Sequence, residues 1–184
     1  MTSVSSDVSA EDRTRAAILR AAASALRAHE RASMAQIARA AGLGRATVYR
    51  YFANRDDLLA ALARHSTSES VRALDEAGLD ACPPATGVER IVRALLRVGR
   101  DYYVPGRAHP GGSIEEQAIR ERGAAVVARG QQDGVFRADR PADQLAAMLG
   151  FLVEGALVYE PFPAMGLEDA ADAITAQFLD GARP

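Results

Sequence analysis

The chain contains no lysine, and all 22 of its basic residues are arginine. We take this as a coding bias toward GC-rich codons, so an arginine in place of a lysine carries little functional information. There is one cysteine, Cys82, so no internal disulfide can form and a reducing, cytoplasmic setting is expected. Cys82 stands beside Pro83 and Pro84 with no basic or histidine neighbour to lower its pKa, which favours an incidental thiol over a redox sensor. No apolar run approaches the ~20 residues of a membrane span. The first nine residues are Ser-rich and lack both the basic start and the apolar stretch of a signal peptide. His29, His65 and His109 are scattered and offer no metal-ligand spacing, so neither a metal nor another cofactor is expected. A phosphate-cradling glycine loop and a serine-nucleophile motif are both missing, and Glu115-Glu116 and Tyr159-Glu160 show no sign of catalytic pairing. An enzyme is therefore not expected.

What is present is an uneven distribution of charge along 184 residues, enough for one or two small domains. From Met1 to Arg64 there are ten arginines against six acidic residues, a net of +4. From His65 to Pro184 there are twelve against eighteen, a net of −6. A basic front on an acidic body is the pattern of a nucleic-acid-gripping head joined to a part with another task.

Helical signals dominate and nothing reads as a strand, so the fold class is all-α. Ser9 followed by Asp12 opens a first helix to about Glu30, with Leu19, Ala22, Ala23 and Leu26 on one face. Ser33 with Gln36 three residues later forms a capping box, and Gly42 ends the short helix it opens. A third helix runs from Arg45 to about Phe52, and Asn54 caps a fourth to about Ala77. The stretch from Gly78 to Gly87 breaks the chain, and a fifth helix is expected from Val88 to Tyr103. Residues 104–112 read as a loop or broken helix. Ser113 opens a helix to about Gln132, Pro141 suits the first turn of the next to about Tyr159, and a last helix spans Leu167 to about Asp180. The expected organisation is a tail at 1–9, a head at 10–54, a linking helix at 55–77 and a body at 78–184.

The second and third helices, separated by a tight glycine turn and supported by the first, form a helix-turn-helix. Val48, Tyr49 and Phe52 are expected to pack inward against Ile37 and Leu19. Arg45, Ala46, Thr47, Arg50 and Tyr51 are then left outward. Arginine reads guanine bidentately and hydroxyls donate to phosphates, so this face suits double-stranded DNA. The stretch from Ser33 to Leu59, SMAQIARAAGLGRATVYRYFANRDDLL, resembles the DNA-binding signature of the TetR (tetracycline-repressor) family without a gap.

That resemblance implies a homodimeric repressor on a palindromic operator, released by a small-molecule effector held in the body. Residue by residue, it implies phosphate contacts from Ser33, Thr47 and Tyr51, and from Arg55 in a slot usually held by lysine. Arg45 and Ala46 fall in the base-contacting slots, and Arg50 also stands among the DNA-facing residues. The effector is expected among Leu95, Val98, Tyr102, Tyr103, His109, Met148, Phe151 and Leu152. The last two helices resemble the family's dimer interface, with small residues on the penultimate one and the stripe Leu167, Ala171, Ile174 and Phe178 on the last. The competing reading of that stripe is that it seals the monomer core. The competing reading of the whole chain is a helical small-molecule-binding or interaction module without a DNA role.

Overall fold

In the computed structural model the protein is described over residues 9–102, 113–159 and 161–184. Among these residues there are eight α-helices and no strand: α1 (Ala10–Ala28), α2 (Met34–Ala40), α3 (Arg45–Tyr51), α4 (Arg55–Glu76), α5 (Pro84–Tyr102), α6 (Ile114–Gln132), α7 (Ala142–Val158) and α8 (Leu167–Ala182). Tyr103 and His109, both expected near an effector, lie outside the described residues, as does the segment 104–112. No helix among the described residues is long and apolar enough to cross a membrane. The chain divides into two compact units, residues 1–65 and 66–184.

In the first unit, α1 is capped by Ser9, whose hydroxyl accepts from the Asp12 amide. Its buried face is Ile18, Leu19, Ala22, Ala23 and Leu26, and it packs against α2. The Ser33 capping box forms in both directions: Ser33 Oγ accepts from the Gln36 amide at 3.3 Å, and Gln36 Oε1 accepts from the Ser33 amide at 2.8 Å. Between α2 and α3 the chain reverses at Gly42, whose φ of +67° is a left-handed conformation that a side chain would strain. Ile37, Val48, Phe52, Leu58, Leu59 and Leu62 complete a dry core. The Arg15 guanidinium lies 5.2 Å from the centre of the Phe52 ring, so the base of α1 holds the end of α3 by a cation–π contact.

The second unit pairs α6 with α7 and α5 with α8, and α5 also packs on α6 and α7. α5 starts at Pro84, four residues before the expected Val88. Proline at the first helical position forfeits only an amide that would have no partner there, so the Pro83-Pro84 pair opens the helix. The Gly87 amide, donating to the Pro83 carbonyl at 2.9 Å, belongs to that first turn. α5 is tied to α8 by Arg93, which bridges Glu168 and Asp172 at 2.6 and 3.0 Å and also pairs with Glu89 on its own helix. Gly130 of α6 is required by close approach, since a Cβ there would lie 2.1 Å from the Phe136 ring. Phe136 in turn meets Phe178 edge-on at 6.4 Å.

The α8 stripe resolves in favour of the monomer core. Ala171, Ile174 and Phe178 are buried within their own unit, in one cluster with Val88, Ile91, Val92 and Leu149. The reading of these side chains as a dimer contact is therefore corrected, because an amphipathic pattern reveals a buried face without revealing what buries it.

Candidate functional site

The first candidate surface is built by α2, the Gly42 turn and α3. The Leu43 amide donates to the Ala38 carbonyl at 2.9 Å, closing the turn. Gly44 then accepts from the Thr47 amide at 3.0 Å and starts α3. Val48 is fully buried and fixes the helix's rotation. Arg45, Ala46 and Arg50 are exposed, Thr47 and Tyr51 half-buried, and Ser33 exposed at the start of α2. The Arg50 guanidinium lies 5.3 Å from the Tyr51 ring centre, which gives a long side chain a preferred direction.

Tyr49 departs from expectation. It is 49% exposed, although its spacing from Phe52 had placed it inward. α3 ends at Tyr51 and Phe52 has extended backbone, so helical spacing cannot be carried across that boundary. Tyr49 sits about 100° around the helix from Val48 and clears the core. A phenol is thereby added to the outward face, and counting from Val48 alone would have found it.

As the first residue of α4, Arg55 is half-buried, with Nη2 donating to the Glu30 carbonyl at 2.8 Å and Nε to the Ala32 carbonyl at 3.3 Å.

The second candidate site is a cavity of about 540 Å³ in the second unit. Its size fits a drug-sized ligand. α4 contributes Ser66, Thr67 and Ser70; α5 contributes Leu95 and Gly99; α6 contributes Glu116, Ile119 and Arg120; α7 contributes Gly150, Phe151, Val153, Glu154 and Leu157. Of the residues expected around an effector, Leu95 and Phe151 are on this wall. Val98 and Tyr102 are buried in α5 but are not part of the lining. Met148 and Leu152 instead line an apolar groove between α7 and α8, which Phe151 also borders. Met148 and Phe151 are 52% and 71% exposed there. The α4 hydroxyls were missed because a run of Ser, Thr and Glu reads as a solvated face.

Arg120 donates to Gln117 Oε1 at 2.8 Å. The cavity wall therefore carries two carboxylates, one guanidinium already engaged by an amide, and three hydroxyls on an otherwise apolar surface. No group of His, Cys, Asp and Glu among the described residues could hold a metal ion.

The family model for bacterial regulatory proteins of the tetR family matches residues 18–62, which contain α2, α3 and the start of α4. The chain is 44% identical over 99 residues to the transcriptional repressor LfrR of Mycolicibacterium smegmatis, an alignment covering 54% of this chain and 52% of that protein. That match thus spans about half the length of the relative. With the transcriptional regulator NfxB of Pseudomonas aeruginosa the identity is 28% over 172 residues, covering 90% and 92% of the two chains. Among solved structures, LfrR in complex with proflavine superposes with a TM-score of 0.72 at 30% identity, covering 94% of this chain and 98% of that one.

Proposed function

Because this chain belongs to the TetR family of bacterial transcriptional regulators, we propose that it is a DNA-binding repressor that leaves a palindromic operator when a small molecule occupies the body. The outward Arg45–Tyr51 face of α3, set behind the Gly42 turn, carries this reading. Arg45 stands at the start of α3 as the base reader. Thr47, Tyr49 and Tyr51 offer hydroxyls to phosphates, Ser33 stands at the start of α2, and Arg50 adds charge. Ala46 next to Arg45 lets the helix approach the groove without steric cost. The test is binding to the DNA upstream of the chain's own gene, followed as a mobility shift with and without proflavine.

The effector we propose has an apolar, planar body and a cationic group. Its support is the exposed Glu154 carboxylate on the cavity wall and the proflavine bound in the LfrR structure, which is 30% identical to this chain. Glu154→Gln should weaken proflavine binding two- to fivefold, the scale of a partly solvated ion pair, about 0.5–1 kcal/mol. A neutral ligand of similar shape should be unaffected. Fluorescence titration checks this, and equal losses for both ligands would remove the charge argument. Release requires that the effector bind one state of the paired DNA heads better than the other.

The homodimer is proposed to form through the outer faces of α7 and α8, at the groove holding Met148 and Phe151. Phe178, 5% exposed, reaches the floor of this groove, whereas Ile174 is not part of its lining. Met148→Asp should leave folding intact, since the side chain is half-exposed, yet place a carboxylate in the contact at a cost of several kcal/mol. Sedimentation at micromolar concentration should show wild type as a dimer and the variant as a folded monomer. A variant that stays dimeric would put the interface elsewhere.

A further inference from the structure

Arg55 sits where the family resemblance implies a cation reaching the DNA backbone, but its guanidinium is already employed. Its Nη2 donates to the Glu30 carbonyl at 2.8 Å and its Nε to the Ala32 carbonyl at 3.3 Å. Those two carbonyls belong to the turn between α1 and α2. The same turn holds an Ala32 amide donating to the His29 carbonyl at 2.8 Å, and Ala32 itself is 1% exposed. The next residue is Ser33, the cap of α2. Arg55 is also only four residues beyond the end of α3, and Asn54 before it caps α4 by accepting from the Asp57 amide at 2.8 Å. One planar fork therefore joins the junction that follows the recognition helix to the turn that precedes the supporting helix.

From this geometry we infer that Arg55 is a positioning residue, a clasp that fixes α2 and α3 for DNA, and not a phosphate ligand. The inference rests on the proposed DNA-binding role of α3. The chemistry selects arginine: a rigid guanidinium spans two carbonyls two residues apart, whereas a lysine offers one nitrogen on a flexible stem. Without the clasp, the turn keeps its local amide bond but loses its charge-assisted tie to α4. The interface residues are then held in a broader range of positions before binding.

The two roles separate in a salt series. A phosphate ligand contributes about one unit per copy to the slope of log affinity against log salt, and a positioning residue contributes none. The experiment measures full-length wild type, Arg55→Ala and Arg55→Lys on the upstream DNA across a salt series, with amide exchange followed at Ala32 and Gln36. The clasp predicts that Arg55→Ala weakens DNA binding on the order of tenfold, the scale of one lost charge-assisted hydrogen bond, with an unchanged slope. It further predicts that both amides exchange faster in both variants, and that lysine does not restore affinity. A slope lower by about one unit per copy, with wild-type exchange rates and rescue by lysine, would overturn it. So would wild-type affinity in Arg55→Ala. Should the alanine variant fail to fold, lysine decides alone: faster exchange and weaker binding at the wild-type slope support the clasp, and wild-type values on both overturn it. If wild type binds no DNA, the proposed function fails together with this role. If wild type binds normally and the Arg55 slope falls, only the clasp fails.

Discussion

Ile174→Asp should unfold the second unit of this protein and should not yield a folded monomer. Ile174 is 3% exposed on α8, inside the cluster formed with Val88, Ile91, Val92 and Phe178. A carboxylate placed there finds no cation among the apolar residues of that cluster. Burying an unpaired charge costs several kcal/mol even after protonation, and loss of the isoleucine's own packing adds roughly 2–5 kcal/mol. Together these rival the 5–15 kcal/mol that typically holds a domain of this size folded, so the cooperative melt of the unit should be lost. Phe178→Asp should behave alike, since Phe178 also supports Phe136, and Gly130 is shaped to admit that ring. Circular dichroism melts of Ile174→Asp beside Met148→Asp make the comparison. A folded Ile174→Asp protein with a wild-type melt and a monomeric mass would show that the stripe is an interface after all.

The contrast between these two substitutions shows where sequence reasoning reaches and where it stops. Local rules are short-range, and they carried over well. Ser33 with Gln36, Gly42 at the reversal and Ser113 opening α6 are all legible, because capping and left-handed turns depend on neighbours within four residues. Burial is legible as a face but not as a partner, so the spacing of Ile174 and Phe178 marks a buried stripe without showing that their own unit covers it. Tyr49 was missed because α3 stops one residue before Phe52. Start positions were less secure where a residue type has two opposite uses, as at Pro84, which opens a helix in one place and would break it in another.

The cavity was the least legible part. Ser66, Thr67 and Ser70 reach it only because α4 runs unbroken from Arg55 to Glu76, and nothing in their polarity marks them as lining. Leu95 and Phe151 were found, but the apolar residues of any helical bundle are core first. Exposure alone divided Met148 from Val98. The tie from Arg55 to Glu30 and Ala32 spans more than twenty residues, beyond any periodic pattern.

Arg45→Ala should produce the second large effect, and it differs in kind from destabilisation. Arg45 is exposed at the first position of α3, with no side-chain partner among the described residues that its removal would strand. Folding should therefore be unchanged, within about 0.5 kcal/mol as for most surface substitutions. If its guanidinium reads guanine O6 and N7, its loss should cost about 1–3 kcal/mol per half-site and relax preference at one base pair in each. In a twofold dimer the two half-sites double the effect, and they should repeat at about one helical turn of DNA or a multiple. Nonspecific binding should fall much less, because the phosphate contacts proposed for Thr47, Tyr49 and Tyr51 would not depend on sequence.

The most direct measurement is the binding of wild type and Arg45→Ala to the upstream operator and to each of its single-base variants, at several salt concentrations. Sequence reading by α3 predicts that wild type loses about 1–3 kcal/mol at one symmetric pair of positions, and that Arg45→Ala is indifferent to those same positions while keeping the others. An Arg45→Ala protein that retained the complete wild-type preference, or a wild type that bound every duplex equally, would contradict the role given to this helix.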